Sequence, residues 1–406
     1  MTPGRPQRDH APARRGDGPP RPLEGIRVVD FTRLLPGAFC SWLLAALGAD
    51  VIKVEQPGRG DYQRDLGLPA GPRGSALFQL VNQGKRSLAL DLKQAGAAPV
   101  LASLLASADI VIEGFRPGVA ARLGIDFDVL TAQRPELVCV SISGFGSARP
   151  LKSLAAHDIN YLALSGWLQR SVAAGDGIPE IPLADLIGGG LVPAMNAIAL
   201  LLRAKLSGIG GIVDASLADA VPLLPTDVLA AALAGGPVPA RHEMEFSGSG
   251  PRYRVYALSD GHVAVGAVED RFWGEFCRRM GIDPESPADA ALAAGIAARF
   301  RAMSRDEVER LFAGADACVT VLRTTEEALA SPHAQARQFT RPAPSPGAMP
   351  RIGSPFFHDG HRQFAEGLAP LLGEHSMEVL AELGLDRTRI DALMDAGAVV
   401  QAKGDA

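Results

Sequence analysis

From Ile26 onward, short β-branched runs alternate with longer apolar stretches of helical spacing, the pattern of a parallel sheet joined by crossover helices. The predicted strands are Arg27 to Phe31, Asp50 to Glu55, Asp109 to Glu113 and Leu137 to Ser141. Between the first two, the apolar stretch Ala38 to Leu47 ends in Gly48 and is long enough for a helix that returns the chain to the sheet. A second helix is predicted from Ala95 to Ala106. This part of the chain therefore predicts a Rossmann-like α/β unit. Ligands on such sheets bind beyond the carboxyl ends of the strands, which makes Thr32 to Gly37, Gln56 to Asp61, Gly114 to Gly118 and Ser143 to Gly146 the candidate site loops.

Near residue 250 the pattern changes. Tyr253 to Leu258 and His262 to Val268, separated by Ser259-Asp260-Gly261, predict a hairpin. Helices follow at Arg271 to Met280, Ala288 to Ala302 and Ser304 to Phe312, the last with the Ser304/Glu307 spacing of a capping box. A strand at Ala317 to Leu322 and a helix from Thr325 to Phe339 complete a small α+β domain at about 225 to 330, with proline-rich connections on both sides. The expected organisation is a solvated tail over residues 1–22, a large domain over 23–224, the small domain over 225–330, and a return segment over 331–406. The last predicted helices, Ser376 to Leu383 and Asp386 to Gly397, would pack back on the large domain or on a partner.

Composition narrows the function classes. The 406 residues are 47% hydrophobic and 21% charged, a globular balance, and 45 acidic against 40 basic residues give a net charge of -5, which argues against nucleic acid as a partner. Cys40, Cys139, Cys277 and Cys318 form no C-x-x-C pair, so neither a metal site nor a disulfide framework is indicated, and a reducing cytoplasm is expected. The first 22 residues carry five Arg and six Pro without an apolar block, unlike a signal peptide. The uncharged run Leu186 to Leu202 is interrupted by three glycines and a proline and predicts a buried core helix; no membrane span is expected.

Two familiar chemistries fail. Leu34-Leu35-Pro36-Gly37-Ala38 has one glycine where a dinucleotide fingerprint needs three, although Glu55 stands where a ribose-binding acid would lie. No Gly-x-Ser-x-Gly elbow exists for a serine hydrolase. Other residues carry more. His157 opens a helical stretch that puts it on one face with Tyr161 at i and i+4. Asp185 is the only charge between Ile181 and Leu202, just before a glycine-rich helix entry, where a carboxylate is either stabilised by the helix dipole or catalytic. Glu269 sits where the strand ending at Val268 meets a loop. Lys85, Arg86, Lys93, Arg116 and Arg122 form a basic group on adjacent loops that could hold phosphates by charge-assisted bonds.

Several of these stretches together carry a resemblance. They are Leu23 to Phe31 (LEGIRVVDF), Gly48 to Glu55 (GADVIKVE), Lys85 to Lys93 (KRSLALDLK), Phe115 to Gly124 (FRPGVAARLG), Gly208 to Leu217 (GIGGIVDASL) and Gly373-Glu374-His375-Ser376. From about Pro22 to Val400 the chain resembles the family III CoA-transferases. The resemblance implies a large Rossmann-like domain and a small domain joined by long linkers, in an interlocked homodimer, with coenzyme A bound at the large domain as part of an acyl-CoA substrate and no prosthetic group. It also implies two chemistries. The transferases form an aspartyl-CoA thioester on an aspartate at the position of Asp185; the α-methylacyl-CoA racemases use that aspartate as a base opposite a histidine.

His157-Asp158 followed by Asn160 to Gly166 resembles the racemase motif, where formyl-CoA transferase carries a tyrosine. Gly266 to Glu269 resembles the racemase segment whose glutamate partners the histidine, and Leu35-Pro36-Gly37 replaces a transferase loop that begins with glutamine. Ser247 to Pro251 lacks the four-glycine run of formyl-CoA transferase. The resemblance thus makes His157, Asp185 and Glu269 catalytic, and assigns CoA binding to Leu90, Asp91, Lys93, Gly114, Phe115, Arg116, Arg122, Asp158 and Tyr161. One departure is Gln56, where relatives commonly have an arginine that helps hold the nucleotide end. The expected reaction is inversion at the 2-methyl carbon of an acyl-CoA by two bases, with backbone amides beside Asp185 stabilising the enolate. The alternative is CoA transfer between carboxylic acids with Asp185 as nucleophile.

Overall fold

The computed structural model describes residues 20–147, 150–173, 175, 177–240, 243–345 and 347–402, and the chain divides into two units. The larger comprises the described residues within Met1–Gly166, Glu180–Leu224 and His333–Ala406; the smaller comprises those within Trp167–Pro179 and Pro225–Pro332.

In the larger unit six parallel strands, β1 (Arg27–Asp30), β2 (Asp50–Glu55), β3 (Arg86–Leu90), β4 (Ile110–Glu113), β5 (Val138–Ser143) and β6 (Gly211–Ser216), run in the order 3-2-1-4-5-6. The terminal strand Val399–Val400 adds antiparallel to β3. Both faces of the central strands are covered, which is why they read as nearly continuous Val/Ile runs rather than as an alternation. On one face Val29, Ile52, Val111 and Cys139 pack with helix Ala97–Ser107 and with Val379, Leu380, Ile390 and Leu393 of the two C-terminal helices. Those helices, Ser376–Glu382 and Arg387–Asp395, therefore complete the core of the first unit, where sequence left open a partner chain as their support.

Four predicted strands match in place to within two residues. The two that sequence did not mark, β3 and β6, open on Arg86 and Gly211 and carry polar positions that disguise the run. Helix α1 (Leu34–Ala46) starts four residues earlier than its apolar run, because Leu34 takes a left-handed φ of 63° and turns the chain into the helix directly. Of the expected tail, residues 1–19 lie outside the described residues. Arg21, placed in that tail by sequence, is fixed: its guanidinium donates to the carbonyls of Ala46 and Phe364.

The smaller unit has an antiparallel sheet of β7 (Tyr253–Ala257), β8 (His262–Gly266) and β9 (Val319–Val321), packed on helices around Trp273, Phe276 and Phe300. The capping box forms: Ser304 accepts from the Glu307 amide and the Glu307 carboxylate accepts from the Ser304 amide at 2.7 Å. The helix expected from Thr325 to Phe339 is instead two short ones, Thr325–Ala330 and Pro332–Ala336, since Pro332 removes an amide and forces the residue before it out of the helical region.

Candidate active site

The strand order of the larger unit reverses between β1 and β4, and open α/β sheets take ligands beyond the carboxyl ends of strands at such a point. Helix α1 begins there. Its first turn is held by a buried charge network that sequence reading missed. Lys53 and Asp61 are fully buried and paired at 2.9 Å, Lys53 also donates to the Thr32 carbonyl, and Asp61 accepts from the amides of Leu34 and Gln63. Burial alone would discharge Lys53, but Asp61, Asp30 and Glu55 around it hold its pKa above the ordinary value. Glu55, the would-be ribose acid, is instead buried in a two-point pair with Arg64 at 2.7 and 2.8 Å and accepts from Ser87. Buried charges repay their desolvation only when they are closely paired and further hydrogen bonds support them.

The network also removes two members of the predicted basic group. Lys85 is buried between Asn82 (2.8 Å), the Ala38 carbonyl (2.9 Å) and Asp30 (3.6 Å), and burial pushes its pKa down to about 7. Arg86 is consumed by Asp50 and Glu382 on the far side of the sheet. Neither can hold a phosphate.

Asp185 lies in the first turn of a π-helical segment, Ala184–Leu191, which runs on as the helix Val192–Ser207. The whole span of 24 residues is long and apolar enough to cross a membrane by length and composition alone. One face of it, with Ala194, Ala197, Leu201 and Ala204, is buried in the unit. The three glycines let this segment lie directly against its neighbours. A Cβ on Gly188 would stand 2.6 Å from the Leu217 carbonyl, one on Gly189 would stand 2.4 Å from Pro36 Cβ, and one on Gly190 would stand 2.4 Å from Phe39. The turn carrying Asp185 is thus seated on the start of α1 and on the residue after β6.

His157 stands immediately before the short helix Asp158–Leu164, its amide donating to Asn160 Oδ1 at 2.9 Å. Tyr161 anchors that helix to the loop after β5: its ring packs edge-on against Phe145, its hydroxyl donates to the Ala156 carbonyl, and Gly144 leaves no room there for a side chain. The link to the second carboxylate is direct, since Asp158 Oδ1 accepts from the Asp185 amide at 3.0 Å. Burial first, then the Asp158 charge, push the Asp185 carboxyl up from 3.8 to about 6, against an opposing pull from His157. Burial and the charges of Asp185 and Asp158 likewise raise Tyr161. His157, Asp158, Tyr161 and Asp185 therefore form one group of an imidazole, two carboxylates and a phenol. Asp158 through Oδ1 and Tyr161 through its hydroxyl, assigned to CoA binding by the resemblance, each make one bond within this group.

Glu269 belongs to the smaller unit, exposed at the start of helix Asp270–Met280. The remaining predicted binding residues fall in two patches. Leu90, Asp91 and Lys93 follow β3; the Leu90 side chain is in the core, leaving only its backbone for a ligand, and Asp91 accepts from the Lys93 amide. Gly114, Phe115, Arg116 and Arg122 follow β4, with Gly114 and both arginines exposed and the Phe115 amide donating to Glu113 at 2.7 Å. Three strand steps separate β3 from β4, roughly 14 Å at the usual strand spacing. Of the backbone amides expected as oxyanion donors beside Asp185, its own serves Asp158 and that of Leu186 serves the Pro182 carbonyl at 3.0 Å.

A parallel-sheet α/β unit with an acid and an imidazole at its carboxyl edge is the class defined so far. The profile of CoA-transferase family III matches residues 23–376, and the chain belongs to that family. It is 33% identical to the α-methylacyl-CoA racemases of Mus musculus and Homo sapiens, over 91% of this chain and 95% of each of theirs. It is 30% identical to the succinate–glutarate CoA-transferase of Agrobacterium fabrum, over 89% of this chain and 96% of that one. Among solved structures, a CAIB/BAIF family protein from Brucella suis superposes with a TM-score of 0.76 at 26% identity, covering 90% of this chain and 100% of that one.

Proposed function

We propose that the chain is an acyl-CoA racemase or epimerase that inverts the carbon next to a thioester carbonyl. The observation that carries this reading is the coupling of His157 to Asp185 through Asp158, whose carboxylate holds the Asp185 amide. An aspartyl-thioester mechanism needs the carboxylate alone. A racemase needs a second base beside it, and the Asp158 bond brings the imidazole-bearing turn to the carboxylate-bearing one.

The chemistry proceeds in two proton transfers. One base removes the Cα hydrogen, the electron pair of that bond moves into the thioester as an enolate, and the conjugate acid of the other base returns a proton to the opposite face. A carboxyl raised to about 6 is mostly ionised at pH 7 yet basic enough to accept the proton, and the imidazole of His157 is the second base. The enolate oxygen needs oriented donors. With the amides of Asp185 and Leu186 engaged, and that of Leu34 held by Asp61, the amides of Leu35 and Gly37 in the first turn of α1 would supply them next to the π-helical segment. Coenzyme A would lie over the carboxyl ends of the strands, touching the patches after β3 and β4, in an enzyme that works as an interlocked dimer with Glu269 as a catalytic partner.

The test is solvent exchange. A 2-methylacyl-CoA incubated in deuterated water with no acceptor acid is expected to gain one deuterium at Cα and lose its optical purity. Retention of hydrogen at Cα, with CoA passing to a second carboxylate once one is added, would establish the transferase reading instead.

A further inference from the structure

Between the two predicted CoA patches lie the loops after β1 and β2, to which sequence assigned no ligand. They carry a cationic cluster built on a single aromatic ring. The Arg33 guanidinium lies 5.2 Å from the centre of the Tyr62 ring and 5.9 Å from that of Phe115, and it donates to the Tyr62 hydroxyl at 2.9 Å. The Arg59 guanidinium lies 4.4 Å from the Tyr62 ring. Arg33, Arg59, Tyr62 and the neighbouring Arg116 are all exposed.

Two features distinguish this cluster from ordinary surface arginines. The first is that its frame is rigid: Tyr62 starts the 3-10 helix capped by the buried Asp61, and Arg33 directly precedes the strained Leu34 whose amide the same Asp61 holds. The second is that its charge is poorly compensated. The hydrogen bond of Arg33 goes to a phenol hydroxyl, and the carboxylate paired with Arg59 among the described residues, Asp65, stands 3.6 Å away and is largely exposed. Two guanidiniums gathered at one ring repel each other, and an anion with several oxygens would relieve that repulsion with forked, charge-assisted bonds. The cluster sits at the reversal of strand order, where a ligand spanning the patches after β3 and β4 must cross it.

We infer that Arg33 and Arg59, arranged on Tyr62, are a phosphate grip for the nucleotide end of the CoA ester. This deepens the acyl-CoA reading and rests on it. Exposed Gln56 lies on the same loop as Arg59 and carries no charge, so the grip falls to the arginines.

The experiment is calorimetric titration of the full chain with CoA, dephospho-CoA and pantetheine, for wild type, Arg33→Gln, Arg59→Gln and Arg59→Lys. Each glutamine variant is expected to bind CoA about tenfold more weakly, with Arg59→Lys recovering part of the loss. Pantetheine, which lacks the nucleotide, should bind all four alike. A loss that persists with dephospho-CoA assigns the diphosphate; one that disappears assigns the ribose 3′-phosphate. Unchanged CoA affinity in both glutamine variants, or an equal loss for pantetheine, overturns the inference. If wild type itself fails to bind CoA, the acyl-CoA reading falls and the grip falls with it.

Discussion

Replacing Asp185 with asparagine should make the protein more stable while abolishing racemisation. Burial raises the carboxyl from 3.8 to about 6, so the folded chain carries an ionised group it disfavours. The sign follows from linkage. A group whose folded pKa lies above its unfolded value destabilises the fold progressively as pH rises from the unfolded value to the folded one, and fully above it. Two pKa units amount to about 3 kcal/mol, and the partial exposure of the side chain reduces this to about 2 kcal/mol. Asparagine is nearly isosteric and stays neutral. Urea unfolding at pH 8 should therefore show Asp185→Asn more stable than wild type by about 2 kcal/mol, a gap that closes as pH falls from 6 toward 4. A variant no more stable than wild type at pH 8, or a gap independent of pH, would refute the claim that a desolvated charge is held there.

Three further outcomes follow from the same geometry. Asp158→Asn keeps an oxygen for the Asp185 amide but removes the charge that raises its pKa, so the acidic limb of the exchange rate should move to lower pH with little loss at the plateau. Gly189→Ala places a Cβ 2.4 Å from Pro36 Cβ; thermal unfolding should show a cost of about 1–3 kcal/mol, and exchange should fall by more than the unfolded fraction explains, because the turn carrying Asp185 is displaced. Asp61→Ala strands the buried Lys53 charge and should cost about 3–5 kcal/mol in urea unfolding, whereas Lys53→Met with Asp61→Leu together should recover much of it.

Much of the sheet was legible because buried parallel strands are written in β-branched runs, and the capping box at Ser304 because its two partners are local. What escaped notice depended on contacts far apart in sequence. Lys53, in the middle of β2, draws no reading of its own; only the fold shows Asp61 closing over it. Lys85 and Arg86 read as phosphate ligands until the fold delivers Asp30, Asp50 and Glu382 to them. The glycines at 188–190 read only as a glycine-rich entry to a core helix; the fold shows that α1 and Leu217 leave no room there for a Cβ. Within the candidate site, His157 and Asp185 were identified from their chemistry and the family resemblance. The role of Asp158 as the bridge between them was not, because it depends on a bond to the backbone amide of Asp185.

The most direct measurement is stereospecific exchange by single-base variants. With each pure enantiomer of a 2-methylacyl-CoA in deuterated water, His157→Ala should release the Cα hydrogen of one enantiomer only, and Asp185→Ala that of the other only, with neither variant racemising. Loss of exchange for both enantiomers in the Asp185 variant, while the His157 variant still racemises, would contradict an imidazole and a carboxylate acting from opposite faces of one carbon.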